Sequence, residues 1–234
     1  MGNVSNPRYV FITGTDTGVG KTVLTCLLLA HLQNLRRPAI AVKPFCSGRR
    51  GDAEALHSFQ KDILTLDQIN PFYFREPLAP AVAARKERRR ISLQEVMAYF
   101  RALPEKRLVL IEGAGGLLAP LGPGYTAADL IVRLGAEVVV AAANRLGTIN
   151  HTLLTVKFCQ GVGIKRIKVA LLTTAPMILR TSPSFDASRS SNAKVLAELL
   201  GSVPLTELPY LGRRLLSNAP KVAKRYKGAL GRLI

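Results

Sequence analysis

The chain has 234 residues, 48% of them hydrophobic, and 33 Lys and Arg against 15 Asp and Glu give a formal net charge of +18. That length suits one α/β domain with its own core, and three scattered cysteines (Cys26, Cys46, Cys159) argue against a disulfide framework or a Cys-x-x-Cys zinc site. No apolar run approaches the roughly 20 residues of a membrane span, and Met1–Pro7 is too short and polar for a signal peptide, so a soluble cytoplasmic protein is expected.

The first predicted strand, Tyr9–Thr13, runs into Gly14-Thr15-Asp16-Thr17-Gly18-Val19-Gly20-Lys21-Thr22 and then a predicted helix over Thr22–Leu35. Strand, Gly-rich loop and helix form the layout of a phosphate-binding loop. Its backbone N–H groups and the helix N-terminus favour an anion. Gly18, Val19, Gly20 and Lys21 are expected to wrap the phosphates of a nucleoside triphosphate, with Thr22 holding magnesium. Five residues separate Gly14 from Gly20, one more than the usual spacing, which points away from generic kinases.

The second strand, Ala39–Val42, ends at Lys43-Pro44-Phe45-Cys46-Ser47-Gly48. A lysine leaving a buried strand into such a loop is poorly explained by packing. Beside Lys21 it would stabilise charge on a transferred phosphoryl group. Cys46 reads as a small filler. In the next predicted helix, Gly51–Phe59, Asp52 is either a magnesium ligand or the N-cap. A helix over Ser92–Ala102 precedes the third strand, Arg107–Ile111, which closes on Glu112-Gly113-Ala114-Gly115-Gly116. A carboxylate ending an apolar run needs a cationic partner, so Glu112 is a second metal-associated candidate.

A helix over Ala127–Leu134 and a strand over Glu137–Ala142 lead to Asn144-Arg145-Leu146-Gly147-Thr148-Ile149-Asn150-His151 and a helix over Asn150–Gln160. That helix N-terminus offers free N–H groups to an anion such as a substrate carboxylate. His151 reads as a packed or capping residue. The remaining elements are a strand over Lys168–Thr173, a mobile Ser- and Pro-rich loop over Thr181–Ser191, a helix over Asn192–Leu200, a short strand Leu205–Leu208 and a basic C-terminal tail over residues 221–234. Mostly continuous apolar strands alternating with helices predict a single α/β domain, a P-loop NTPase-like, mostly parallel sheet with helices on both faces. Every motif then falls at the carboxyl edge, where such sheets bind ligands. The basic runs Arg85–Arg90 and Arg213–Arg232 lack interleaved aromatics and read as solvated surface rather than a nucleic-acid site.

Taken together, Gly-Thr-Asp-Thr-Gly-Val-Gly-Lys-Thr (14–22), Lys-Pro-x-x-Ser-Gly (43–48), Glu-Gly-Ala-Gly-Gly (112–116) and Leu-Gly-Thr-Ile-Asn-His (146–151) resemble the dethiobiotin synthetase family. Asn70-Pro71, Glu76-Pro77 and Ala79-Pro80 extend the likeness through the middle of the chain. The resemblance implies a magnesium- and ATP-dependent ligase of biotin synthesis acting on 7,8-diaminononanoate and CO2. Lys21 and Lys43 would be catalytic, Thr17 and Ser47 close to the substrate, and Thr22, Asp52 and Glu112 the magnesium ligands. It further implies a homodimer, in which the backbone of Thr148, Ile149 and Asn150 from the second subunit holds the substrate carboxylate. Pro209-Tyr210-Leu211 resembles part of the family's base pocket.

The family often has Glu where this chain has Gly18, and an Asn-Asp pair where it has Thr173-Thr174. The second change removes side chains that help read adenine and leaves CTP open beside ATP. Competing readings are a DNA-associated partitioning ATPase of the same fold, a cobyric-acid-type synthetase, and a binding protein without turnover.

Overall fold

The computed structural model describes residues 8–105, 107–176, 186–212 and 216–234. In chain order the first half comprises β1 (Tyr9–Gly14), α1 (Lys21–Asn34), β2 (Ala39–Val42), β3 (Phe45–Ser47), α2 (Gly51–Ser58), α3 (Leu66–Ile69), β4 (Phe72–Phe74), α4 (Pro80–Lys86), α5 (Leu93–Arg101) and β5 (Leu108–Gly116). The second half comprises β6 (Pro120–Gly122), β7 (Tyr125–Thr126), α6 (Ala127–Leu134), β8 (Glu137–Ala143), α7 (Thr148–Gly161), β9 (Ile167–Leu172), α8 (Asn192–Leu200), β10 (Leu205–Leu208), α9 (Ala219–Arg225) and α10 (Lys227–Leu233).

Six strands form one all-parallel sheet in the order β10-β9-β8-β1-β5-β2. Apart from Tyr9, Ala114 and Leu205, which are partly buried, their apolar residues are buried, as expected where helices cover both faces. The predicted bounds of β2, β10, α6 and α8 match. β5 runs five residues past its predicted end at Ile111, to Gly116, because Gly113 and Gly116 leave room beside Phe11 and Gly14 of β1. The two-stranded β3–β4 and β6–β7 pairs, too short for a periodic signal, were not anticipated. Neither were α3 and α4.

The C-terminal basic stretch is built into the fold. Helix α1 is apolar almost all round, with Leu24, Leu27, Leu28, Leu29 and Leu32 at most 1% exposed, so its outer side needs a cover. Helices α9 and α10 supply it, burying Ala219, Ala223, Leu230 and Leu233. Asn34 Nδ2 donates to the Pro220 carbonyl at 2.9 Å to fix the join. The basic side chains Lys221, Lys224, Arg225, Lys227 and Arg232 stay at the surface. Residues 181–185 of the loop expected over Thr181–Ser191 lie outside the described residues, and the rest holds a 3-10 turn, Ala187–Ser190, capped by Asp186.

Candidate active site

Parallel register decides which side chains meet at the carboxyl edge. Val42 of β2 lies opposite Ile111 of β5, so Lys43 and Glu112 emerge next to each other. Lys43 Nζ donates to Glu112 Oε1 at 2.7 Å and stands 3.2 Å from Asp52 Oδ2 in the first turn of α2. Thr22, in the first turn of α1, donates its hydroxyl to the same Glu112 oxygen at 2.8 Å. Four residues, from the first turns of α1 and α2, the end of β2 and the middle of β5, thus form one connected cluster. Glu54, in the same turn as Asp52, is exposed and forms no ion pair with Lys43.

The Lys43 and Glu112 side chains are 5% and 0% exposed, against 51% for Asp52. Burial works against the Lys43 charge, yet the Glu112 and Asp52 carboxylates together hold it above the ordinary lysine range. The other Glu112 oxygen, Oε2, is buried without a hydrogen-bond partner, costly unless a cation completes it. Among the described residues no three His, Cys, Asp or Glu side chains converge as a metal cluster. A cation here would be held by the hard oxygens of Thr22, Asp52 and Glu112 together with ligand phosphates, the donor set magnesium prefers.

The phosphate loop is shaped by its glycines. Gly18 and Gly20 have φ of 68° and 97°, which side chains other than glycine rarely adopt. At Gly14 an added Cβ would sit 2.7 Å from the Asp16 carbonyl oxygen and 2.8 Å from Lys21 Nζ. The Thr15 amide donates to Ala141 O at 3.0 Å, anchoring the loop to β8. Lys21 Nζ, curled under the loop, donates to Asp16 O at 2.9 Å. Burial, and then the nearby Lys43 charge, push Lys21 down to about 8. Thr17 is held within the phosphate loop, its amide donating to Asp16 Oδ1 at 2.7 Å, while Ser47, at the end of β3, donates its Oγ to Leu78 O beyond β4 at 2.6 Å. Cys46 is buried, its Sγ 3.1 Å from Arg49 O, and burial pushes its thiol up, as suits a filler.

Beyond the phosphate loop lies a cavity of about 250 Å³ between the ends of β9 and β10. Gly18 and Gly20 border it on one side, Thr173, Pro209, Tyr210 and Leu211 on the other. The Thr173 amide donates to Leu208 O at 2.9 Å, so the sheet pairing itself sets the two walls. Its lining includes the side chains of Leu172, Leu208 and Val23 and the hydroxyl-bearing Thr173, Thr174 and Tyr210, with no amide or carboxylate side chain. A flat heterocycle fits such an apolar slot.

Helix α7 begins two residues earlier than predicted, at Thr148, after Gly147 with φ 87°. Thr148 is buried, Ile149 half-buried and Asn150 exposed on its first turn. His151 is exposed rather than packed. These residues form no hydrogen bond to the Lys43 cluster. Sequence reasoning missed the link between this turn and the phosphate loop, a salt bridge of 3.0 Å from Arg145 Nη2 to Asp16 Oδ2. Asp16 lay inside the recognised motif, but nothing in the chain marked its partner.

Comparison with known proteins agrees with this layout. The sequence profile of a family described as AAA domain matches residues 8–211. The chain is 40% identical over 232 residues to the ATP-dependent dethiobiotin synthetase of Anaeromyxobacter dehalogenans (strain 2CP-C), covering 97% of each. It belongs to the dethiobiotin synthetase family. The synthetase of Bacillus subtilis (strain 168) is 37% identical over 205 residues, covering 85% of both chains. Among solved structures, the cell division protein MinD of Aquifex aeolicus superposes with TM-score 0.53 at 12% identity, covering 97% of this chain and 94% of that one. A putative plasmid partition protein of Borrelia burgdorferi B31 bound to AMPPNP gives 0.56 at 10%, covering 98% of this chain and 100% of that one. At such identities the two share only the fold with this dethiobiotin synthetase family member: a P-loop NTPase-like α/β domain with a mostly parallel sheet. That likeness carries no DNA-partitioning role over to this chain. No described helix is long and apolar enough to cross a membrane.

Proposed function

We propose that this protein forms dethiobiotin from 7,8-diaminononanoate, CO2 and ATP in the cytoplasm, releasing ADP and phosphate as a step of biotin synthesis. The observation that carries the reading is the buried, charged Lys43 held between Glu112 and Asp52 beside Thr22 and the phosphate loop. Addition of CO2 to one amine makes the N–C bond of a carbamate with loss of a proton. A carbamate oxygen then takes the γ-phosphoryl group and ADP leaves. Attack of the second amine on the carbamoyl carbon closes the cyclic urea, expels phosphate and releases a proton.

Lys21 and Lys43 are the cations for this sequence, Lys21 reaching the phosphates from the loop and Lys43 the carbamate and transferring phosphoryl group from the β2 end. Gly18, Val19 and Gly20 turn backbone amides toward the phosphates. Thr22, Asp52 and Glu112 would hold magnesium, which supplies neutralisation of the phosphate charge. Thr17 and Ser47 flank the diamine end. Omission of any of diamine, bicarbonate, magnesium or nucleotide is expected to abolish dethiobiotin detected by mass spectrometry. Product without nucleotide would refute the reaction.

Thr173, Pro209, Tyr210 and Leu211 form the base pocket. Its lining lacks amide and carboxylate side chains, so little there rejects a different base. CTP is expected to support turnover within about tenfold of ATP in kcat/KM. A preference above about a thousandfold would show that backbone groups read adenine unaided.

The protein acts as a homodimer, with the backbone around Thr148, Ile149 and Asn150 of one subunit holding the substrate carboxylate bound at the other. An apolar stripe on α7 and its flanks supports this: Leu146, Leu154, Phe158 and Val162 are 80%, 61%, 37% and 39% exposed.

The low position of Lys21 has a consequence for binding. Below about pH 8 its amine is charged and favours the triphosphate; above that it is neutral, so affinity falls as pH rises. Titration with a fluorescent ATP analogue is expected to show a plateau from pH 7 to 8, then weakening toward about tenfold per unit. Constant affinity to pH 9.5 would place the Lys21 amine at its ordinary value.

A further inference from the structure

The short segment from Asp186 to Asn192, at the start of α8, touches two loops of the site at once. Asn192 is 2% exposed, and its Nδ2 donates to Asn144 Oδ1 at 2.9 Å and Arg145 O at 3.2 Å. Asn144 Nδ2 donates in return to Arg189 O at 3.2 Å. Asp186 Oδ2 accepts the Leu146 amide at 2.8 Å, while its Oδ1 accepts the Ser188 amide and hydroxyl at 3.0 and 2.6 Å. Arg189 Nη1 donates to the carbonyls of Ala175 and Pro176 at 3.4 and 3.3 Å, just past Thr173-Thr174 of the cavity.

The three residues between β8 and Gly147 are therefore held individually by the segment that opens the neighbouring helix α8: Asn144 by side-chain amide, Arg145 by its carbonyl, Leu146 by its amide. Arg145, so fixed, directs its guanidinium to Asp16 of the phosphate loop. A segment of this kind does more than close the surface. Buried amide–amide and amide–carbonyl pairs with defined partners specify a single backbone geometry, because an unpaired polar group there is costly.

We infer that Asn192 and Asp186 are positioning residues for the substrate-carboxylate subsite: they fix the Asn144–Leu146 backbone and with it the first turn of α7, where the Thr148 amide donates to Arg145 O at 3.1 Å and the amides of Ile149 and Asn150 are left for the carboxylate. This inference rests on the dethiobiotin-forming reading and adds to it two residues that lie 40 and 48 positions along the chain from the groups they hold. They act on affinity for the diamine acid, not on phosphoryl transfer.

The test is steady-state kinetics of the full-length enzyme with Asn192→Ala, Asn192→Asp and Asp186→Asn, beside melting temperatures. The Asn192 variants are expected to raise KM for 7,8-diaminononanoate about tenfold, the effect of losing one or two buried hydrogen bonds, with kcat and KM for ATP within about twofold. Asp186→Asn, which keeps an acceptor for the Leu146 amide, is expected to retain a near-normal KM. For a substrate analogue lacking the carboxylate, Asn192→Ala and the parent enzyme are expected to have equal KM values. An unchanged diamine KM in Asn192→Ala would overturn the inference, as would a rise shared equally by diamine, ATP and the carboxylate-free analogue. An inactive parent enzyme that still binds nucleotide would instead remove the underlying reaction, and this inference with it.

Discussion

Replacement of Lys43 by methionine is expected to lower kcat about a thousandfold or more while leaving nucleotide affinity nearly unchanged. The lysine is charged, buried and fixed by two carboxylates, so it needs no reorganisation when charge builds on the transferring phosphoryl group. Its loss also bears on folding. Glu112 would remain as a fully buried carboxylate with only the Thr22 hydroxyl as partner, which costs about 3–5 kcal/mol when one member of a buried pair is removed. Lys43→Met alone is therefore expected to melt lower than Lys43→Met combined with Glu112→Gln, with both equally inactive. Rapid-quench turnover and thermal melts check the two effects separately. A single variant with near-normal kcat would remove Lys43 from the chemistry.

Glu112→Gln has the second largest expected effect, on the metal. Glu112 is the hub of the cluster, accepting from both Thr22 and Lys43 through one oxygen and leaving the other buried without a partner. The amide keeps the shape but removes the negative charge. The magnesium concentration for half-maximal rate is expected to rise about 10- to 100-fold, the usual range when a metal site loses a supporting carboxylate. Excess magnesium should restore part of the rate. A lowered kcat with unchanged magnesium dependence would make Glu112 only the counter-ion of Lys43.

Much of this site was legible in the sequence because each element announced itself locally. The phosphate loop combined Gly spacing with flanking apolar runs. Lys43 and Glu112 stood out as charges ending runs too apolar to hold them without a partner, and parallel register then joined them. The Thr173 and Pro209–Leu211 pieces, more than thirty residues apart, were recognised by resemblance, and the β9–β10 pairing brings them together around one cavity.

What was not legible depends on pairings between distant, individually ordinary residues. Arg145 and Asp16 are 129 positions apart, and both are common surface residue types. Asn192 looked like the start of a helix after a mobile loop, and only its burial against Asn144 reveals a clamp. The basic end of the chain misled for a related reason. Lysines and arginines dominated its composition, whereas four small or aliphatic side chains, Ala219, Ala223, Leu230 and Leu233, decide its placement over α1. The clue lay instead in α1, whose leucines leave no polar face for solvent.

The most direct measurement uses bicarbonate labelled with carbon-13 and oxygen-18, mixed rapidly with enzyme, magnesium, 7,8-diaminononanoate and ATP. If a carbamate oxygen takes the γ-phosphoryl group and ring closure expels it as phosphate, carbon-13 appears in dethiobiotin and oxygen-18 in the inorganic phosphate. Phosphate whose new oxygen comes only from water, with no carbon-13 in any ring product, would identify an ATPase of this fold and contradict the account.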